Sequence, residues 1–185
     1  EVTVYHPKYI GFGQQNLYIM NTAVLTLESF TRAVKKVIQM MPEKPDIIYG
    51  HFISPSGITA ARMSREFNIP AFLAYGESSP WSINNIGFSK VVRELKTLSG
   101  IVSVSTHNKK ELIELGVFNP DKIGVFPNAI RAEHFYPRNK TESRKKFGFP
   151  EDAFIIAFVG HFIKRKGIDK LIQAVSEIDG VYAIY

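Results

Sequence analysis

Two hydrophobic rhythms alternate along this chain of 185 residues. The first is a short apolar run, at 46–50, 71–75, 101–105, 123–126, 154–159 and 181–185, and each such run predicts a buried strand. The second recurs every three or four residues, the spacing of one helix face. It is seen from 21 to 41 in Val24, Leu27, Phe30, Val34, Val37 and Met41, before Pro42 and Pro45 end the helix. It returns in Ile168, Leu171, Ile172, Val175 and Ile178. Further helices are predicted over 58–67 and over 90–98, and one capped by Thr106 or Asn108 and terminated by Gly116. A basic helix over 141–147 is stopped by Gly148 and Pro150.

Strands that alternate with helices through short loops imply a parallel, doubly wound α/β sheet. One stretch breaks the alternation. Residues 127–137 carry two prolines, mixed charge and no periodicity, so they read as a linker, with a boundary near Asn128. The chain opens on an alternating, strand-like run over 1–5 and closes on another apolar run, so it is expected to be an internal piece of a longer polypeptide.

Composition narrows the class. Hydrophobic residues make up 45% of the chain, ample for a core. With no cysteine there is neither a disulfide framework nor a thiolate metal site. No apolar stretch is long enough to span a bilayer, and no paired-aspartate metal motif occurs, so no metal is expected. The formal net charge of +6 invites an anionic partner. Because the basic residues are scattered and no nucleic-acid motif accompanies them, a small anionic substrate or an acidic lipid surface fits, and nucleic acid is not expected.

In open α/β sheets ligands gather outside the carboxyl ends of the strands. Four loops lie there: 51–57 with His51, 76–81 with Glu77 and the only tryptophan, Trp81, in a longer loop that reads on to Ile86, then Ser105 with Thr106, and 160–166. His51 reads equally as a ligand contact or as a histidine satisfied by backbone, and Glu77 as a hydroxyl contact or a loop-capping carboxylate. Trp81 is a stacking platform or a cover for its loop. Gly11 and Gly13 before Asn16 do not complete a dinucleotide fingerprint and read as a turn. The loop 160–166 brings Lys164, Arg165 and Lys166 to a helix start, where amides and cations together suit a phosphate. By itself the run reads equally as a solvated charge cluster.

Gly160, followed by Lys166, Gly167, Leu171 and Ala174, resembles the donor-binding motif of the family 4 retaining glycosyltransferases. Pro127, Asn128, Ala129, Ile130, Phe135 and Pro137 are similar to that family's linker signature, in the same order along the chain. The resemblance implies a GT-B architecture: residues 1–127 as an acceptor-side Rossmann-like domain lacking its first βα unit, and 128–185 as the linker and truncated start of a donor-binding domain. It implies a nucleotide-sugar donor, a glycan or lipid-linked acceptor, a cytoplasmic setting compatible with peripheral contact at the inner membrane face, and no cofactor.

By the same resemblance Lys166 contacts the donor diphosphate, with Gly160, His161 and Arg165 beside it. His161 stands where the family favours arginine, and Arg165 is a candidate replacement. Tyr75 stands where many members carry a histidine, so a histidine contact to the sugar is not assigned there, and Tyr75 itself joins His51 and Glu77 as a candidate acceptor or sugar contact. The family's paired glutamates would lie beyond residue 185, so this stretch alone is expected to be inactive. Two other readings stay open: a sugar-nucleotide epimerase of the same architecture, and a non-catalytic basic α/β module that binds nucleic acid or membrane.

Overall fold

The computed structural model describes residues 2–12, 16–17, 20–77 and 80–185. It divides into two compact units, Glu1–Ala129 and Ile130–Tyr185. Glu1, Gly13, Ser78 and Ser79, which figured in the sequence reading, lie outside the described residues.

Unit 1 begins with a two-residue antiparallel pair, β1 (Asn16–Leu17) with β2 (Met20–Asn21), and helix α1 (Thr22–Met40). Its main sheet is parallel and runs in chain order: β3 (Ile48–His51), β4 (Ala71–Tyr75), β5 (Gly100–Ser103) and β6 (Ile123–Val125). The crossovers carry α2 (Ile58–Phe67), then α3 (Trp81–Ile86) with α4 (Phe88–Leu95), then α5 (Thr106–Glu114). Parallel strands need such crossovers, and their helices bury the strands they cover. The core accordingly centres on Leu73 and Tyr75 of β4, with Ile58, Ile101 and Leu112 around them.

Three expectations change here. Residues 2–12 form no strand. The segment instead lies along α1, where the amides of Ile10 and Phe12 donate to Ser29 Oγ (2.8 Å) and Thr26 Oγ1 (3.0 Å), and Tyr9 meets Phe30 edge-on. The second change concerns the buried face of that helix. In α1 the buried residues are Thr22, Ala23, Leu27, Ala33 and Ile38, so only Leu27 of the predicted stripe is buried. Third, 81–86 is a helix rather than loop, with Ser82, Ile83 and Ile86 buried. The α5 cap is Ser105, whose Oγ accepts from the Asn108 amide at 3.1 Å.

Unit 2 pairs β7 (Phe154–Ala157) with β8 (Val181–Ile184) in parallel, and carries α6 (Lys140–Phe147) and α7 (Ile168–Ser176). Asn139 caps α6 by accepting from the Glu142 amide. Arg144 ties that helix to the carbonyls of Pro150 (3.2 Å) and Ala153 (2.6 Å). β7 was expected to be buried but is half-buried, and Val159, just past its end, is 96% exposed. Among the described residues β7 pairs with β8 alone, and its end residues Phe154 and Ala157 are exposed. In α7, Ile168, Leu171 and Val175 are half-buried while Ile172 is exposed, as is Ile178 just past the helix end.

At the amino-terminal side of the unit 1 sheet a half-buried ion network joins three helices. Glu94 of α4, only 7% exposed, accepts from Arg62 of α2 (2.8 Å) and from Arg65 (2.6 Å). Arg62 also pairs with Glu28 of α1 at 2.9 Å. Burial alone would raise the Glu94 carboxyl, but the two guanidinium hydrogen bonds outweigh it and hold it below the usual carboxylate range. A depressed folded value contributes stability that is present above the unfolded carboxylate range, near pH ~4.3, and lost as pH falls through the folded value. Glu94→Ala leaves two guanidiniums facing a vacated site and is expected to cost about 3 kcal/mol in urea unfolding at pH 7. The loss of melting temperature on acidification below about pH 4.3 should be shallower in Glu94→Gln than in the native chain.

Candidate functional site

Two groups of side chains carry candidate chemistry, one in each unit. In unit 1 they collect at the carboxyl ends of β3, β4 and β5, where the ladder runs on through Phe52 N–H to Ala74 O (2.9 Å) and Val104 N–H to Tyr75 O (3.0 Å). After β3 the chain folds tightly through the turn Ile53–Gly57. A Cβ on Gly57 would sit 2.6 Å from both Leu73 Cδ1 and the Phe52 carbonyl, so this turn admits no larger residue without moving.

Glu77 joins the loops. Its Oε1 accepts from the Ile53 amide (3.1 Å) and from Ser82 Oγ (2.7 Å), and its Oε2 accepts from the Ser82 amide (3.2 Å). Its own carbonyl accepts from Asn108 Nδ2 at 2.8 Å. The carboxylate therefore ties the turn after β3 to the first turn of α3, and its backbone is tied to α5. An anion at the start of a helix also interacts favourably with the helix dipole.

Tyr75 ends β4 fully buried, and its hydroxyl donates to Glu111 Oε2 of α5 at 2.6 Å. Burial, then that hydrogen bond and the nearby charges of Glu111 and Glu77, push its phenol strongly upward, so it stays protonated. His51 is exposed at the end of β3, its ring edge-on to Phe52 at 4.6 Å. Trp81 borders a small cavity of about 30 Å³ with Ala23, Thr26, Ser54 and Pro55.

His51, Tyr75 and Glu77 thus come from neighbouring strand ends, but only His51 presents its side chain outward. The sequence reading missed Ser82 and Glu111. Ser82 was hidden because 81–86 read as loop, and Glu111 sits in a charged helical stretch where nothing in the pattern marks it as the partner of a tyrosine 36 residues earlier.

In unit 2, Lys164–Lys166 form a single 3-10 turn closed by Gly167, whose φ of 73° and ψ of 19° are left-handed and suit glycine. The turn is held by Lys166 N–H to Ile163 O (2.9 Å) and Gly167 N–H to Lys164 O (3.0 Å), and α7 starts at the next residue. His161, Lys164, Arg165 and Lys166 are all exposed. Among the described residues none of these four forms an ion pair with an acid. Gly160 lies between β7 and this turn. A cluster of unpaired cations beside the free amides of a helix start can hold an anionic group.

No protein-family model matches the chain. Among curated proteins it is similar to TuaC of Bacillus subtilis (strain 168), described as a teichuronic acid biosynthesis glycosyltransferase, at 29% identity over 151 residues, 79% of this chain and 38% of that protein. A D-inositol 3-phosphate glycosyltransferase of Stackebrandtia nassauensis is 31% identical over 94 residues, 49% of this chain and 21% of that protein. The GPI3 subunit of the phosphatidylinositol N-acetylglucosaminyltransferase of Saccharomyces cerevisiae is 31% identical over 84 residues, 45% of this chain and 18% of that protein. The chain thus spans less than half the length of each of these relatives. Among solved structures, Anabaena Alr3699/HepE in complex with UDP and glucose superimposes with a TM-score of 0.65 at 20% identity, covering 82% of this chain and 42% of the other. These findings bear out the resemblance to family 4-type glycosyltransferases and an α/β fold of GT-B type.

Replacing Glu77 by Ala strands two amides and a hydroxyl at once. It is expected to lower stability by about 2 kcal/mol in urea unfolding, with the amides of Ile53 and Ser82 exchanging faster with deuterium than those of the sheet. Glu77→Gln, which keeps one acceptor oxygen, should recover part of the loss.

Proposed function

We propose, from the kinship of this chain with family 4-type glycosyltransferases, that the protein moves a sugar from a nucleotide-sugar donor to a glycan or lipid-linked acceptor, with retention at the anomeric carbon. The observation that carries the reading is the turn Lys164–Lys166, where three exposed cations meet the start of α7. Breaking the bond between the anomeric carbon and a diphosphate puts negative charge on the leaving oxygen. Fixed cations lower that barrier because they are already oriented before the charge appears. Lys166, next to Gly167, is assigned to the diphosphate, and Arg165 to the same group in place of the arginine that His161 replaces. Gly160 lets the chain approach the donor closely. Charge stabilisation is thereby given to side chains, and the reading calls on no metal.

In unit 1, Glu77 and Tyr75 are committed to loop ties, so neither is cast as a base. His51 is the candidate for a sugar or acceptor hydroxyl. The Anabaena neighbour was solved with UDP and glucose, which makes uridine diphosphate sugars the first donors to try. The yeast relative's name includes phosphatidylinositol, which supports a lipid-linked acceptor. The reading places the reaction in the cytoplasm, with peripheral contact at the membrane where such acceptors reside.

The test is turnover by the full-length protein against a panel of nucleotide sugars, with the anomeric configuration of the product read by NMR. Lys166→Ala is expected to lower kcat/KM by about 10²- to 10³-fold while leaving the melting temperature unchanged. Undiminished turnover in that variant would remove Lys166 from the mechanism. Conversion of the donor without an acceptor would identify an epimerase instead.

A further inference from the structure

One residue in the corner after β3 has a backbone that its side chain does not suit. Phe52 has φ of 64° and ψ of 161°, a conformation essentially confined to glycine because a Cβ crowds the flanking peptide groups. The same corner uses glycine twice where space demands it. A Cβ on Gly50 would lie 2.7 Å from Gly57 Cα, and one on Gly57 would lie 2.6 Å from the Phe52 carbonyl, so neither position takes a side chain as it stands. Between them, the position whose dihedral angles call for glycine carries a phenyl ring.

Such a conformation persists only where its surroundings over-determine it. Hydrogen bonds on successive residues do so here. The His51 amide donates to Ser56 Oγ at 3.1 Å, and that hydroxyl donates to the His51 carbonyl. The Phe52 amide donates to the Ala74 carbonyl (2.9 Å), and the Phe52 carbonyl accepts from the Gly57 amide (3.0 Å). The Ile53 amide donates to Glu77 Oε1 at 3.1 Å. Core packing does not account for the ring, because Ile53 belongs to the buried core of unit 1 and Phe52 does not.

The consequence of the turned backbone is local. In an extended strand neighbouring side chains point to opposite faces, so the rings of His51 and Phe52 would stand apart. At this corner the alternation is broken, and the two rings meet edge to face with centroids 4.6 Å apart and planes at 85°. That is a favoured geometry for aromatic pairs. A phenyl ring held against the imidazole removes rotamers that a free histidine at a strand end would sample.

We propose that Phe52 is a positioning residue: its strained backbone stands the phenyl ring against His51 and fixes the imidazole in one orientation at the ligand end of the sheet. The proposal rests on the role that the proposed function gives His51.

The experiment is a double-mutant cycle on the full-length protein. Phe52→Ala is expected to lower kcat/KM for sugar transfer by about tenfold or more, since a small misplacement of a contacting group is costly. Phe52→Tyr should recover most of that loss. In a His51→Ala background Phe52→Ala should change kcat/KM by less than about twofold, because the group it orients is gone. Additive losses would overturn the proposal and give Phe52 a ligand contact of its own.

Two further readouts need no turnover. The His51 ring-proton resonances should move in Phe52→Ala, as the phenyl ring current is lost, and return toward their native places in Phe52→Tyr. Phe52→Gly should fold more favourably than Phe52→Ala, by about fivefold in the folding equilibrium constant, the reverse of their order at a regular strand position. Alanine at or above glycine means that the backbone is unstrained, and unmoved His51 resonances mean that the rings are apart; either result overturns the proposal. An active protein with undiminished turnover in Phe52→Ala refutes the positioning role alone. A native protein that transfers no sugar, with the resonances and the glycine preference as expected, refutes the transfer reading and supports the ring pair.

Discussion

Glu77 stands at the end of the central strand with both carboxylate oxygens turned back into the protein. When β4 stops, the loops on either side have backbone amides that no ladder can satisfy, and a buried amide without an acceptor costs about as much as a lost hydrogen bond. One carboxylate meets the amides of Ile53 and Ser82 and the Ser82 hydroxyl together. The residue's carbonyl meets Asn108 from a third segment. Loops that would otherwise move independently are thereby held in one arrangement, and His51 and Trp81 take their places from it.

The two ends of the unit 1 sheet solve different problems with charge. At the amino-terminal side, Arg62, Arg65, Glu28 and Glu94 tie helix to helix, so the layer of α1, α2 and α4 is fixed by ion pairs in addition to apolar packing. A half-buried network of this kind contributes mainly when all partners are present, because each removal strands another charge. At the carboxyl side, charge is spent on loops instead. Tyr75 shows the difference in a single residue: its ring fills the core while its hydroxyl reaches Glu111, linking β4 to α5. A histidine at that position would be shorter and could point outward to a ligand. The tyrosine is anchored, so at this end of the sheet the Tyr75 hydroxyl is turned to α5 while the His51 side chain is exposed.

Much of this fold is written in local patterns. The strand at 71–75 and the helix at 58–67 coincide with the observed elements, because each has its full set of apolar positions and a clear stop. Where the reading missed, a partner distant in sequence had intervened. The face of α1 was misjudged because small residues, Ala23 and Ala33, occupy buried positions that a search for large apolar side chains passes over. The run 2–5 alternates as a strand would, yet alternation needs a neighbouring strand, and here serine and threonine of α1 supply the acceptors for the amides that follow it. The helix Trp81–Ile86 is too short to announce itself by periodicity, and Glu77 caps it from outside. Of the candidate residues, the cationic turn was visible as a motif, whereas the ties among Glu77, Ser82, Asn108 and Glu111 depend on tertiary contacts that no spacing encodes.

Two groups of cationic residues in unit 2 differ in what surrounds them. Lys164, Arg165 and Lys166 follow one another in a turn that Gly167 closes, so their charges stay close together at the start of α7. Adjacent like charges repel, and the repulsion is relieved most by a compact ligand with several negative oxygens within reach of both the side chains and the helix amides. The charges along Arg131 to Phe147 are spread over a linker and a full helix and are interleaved with exposed rings. Cations crowded into one turn at a helix start therefore make a denser positive field than a similar number spread over a linker and a helix.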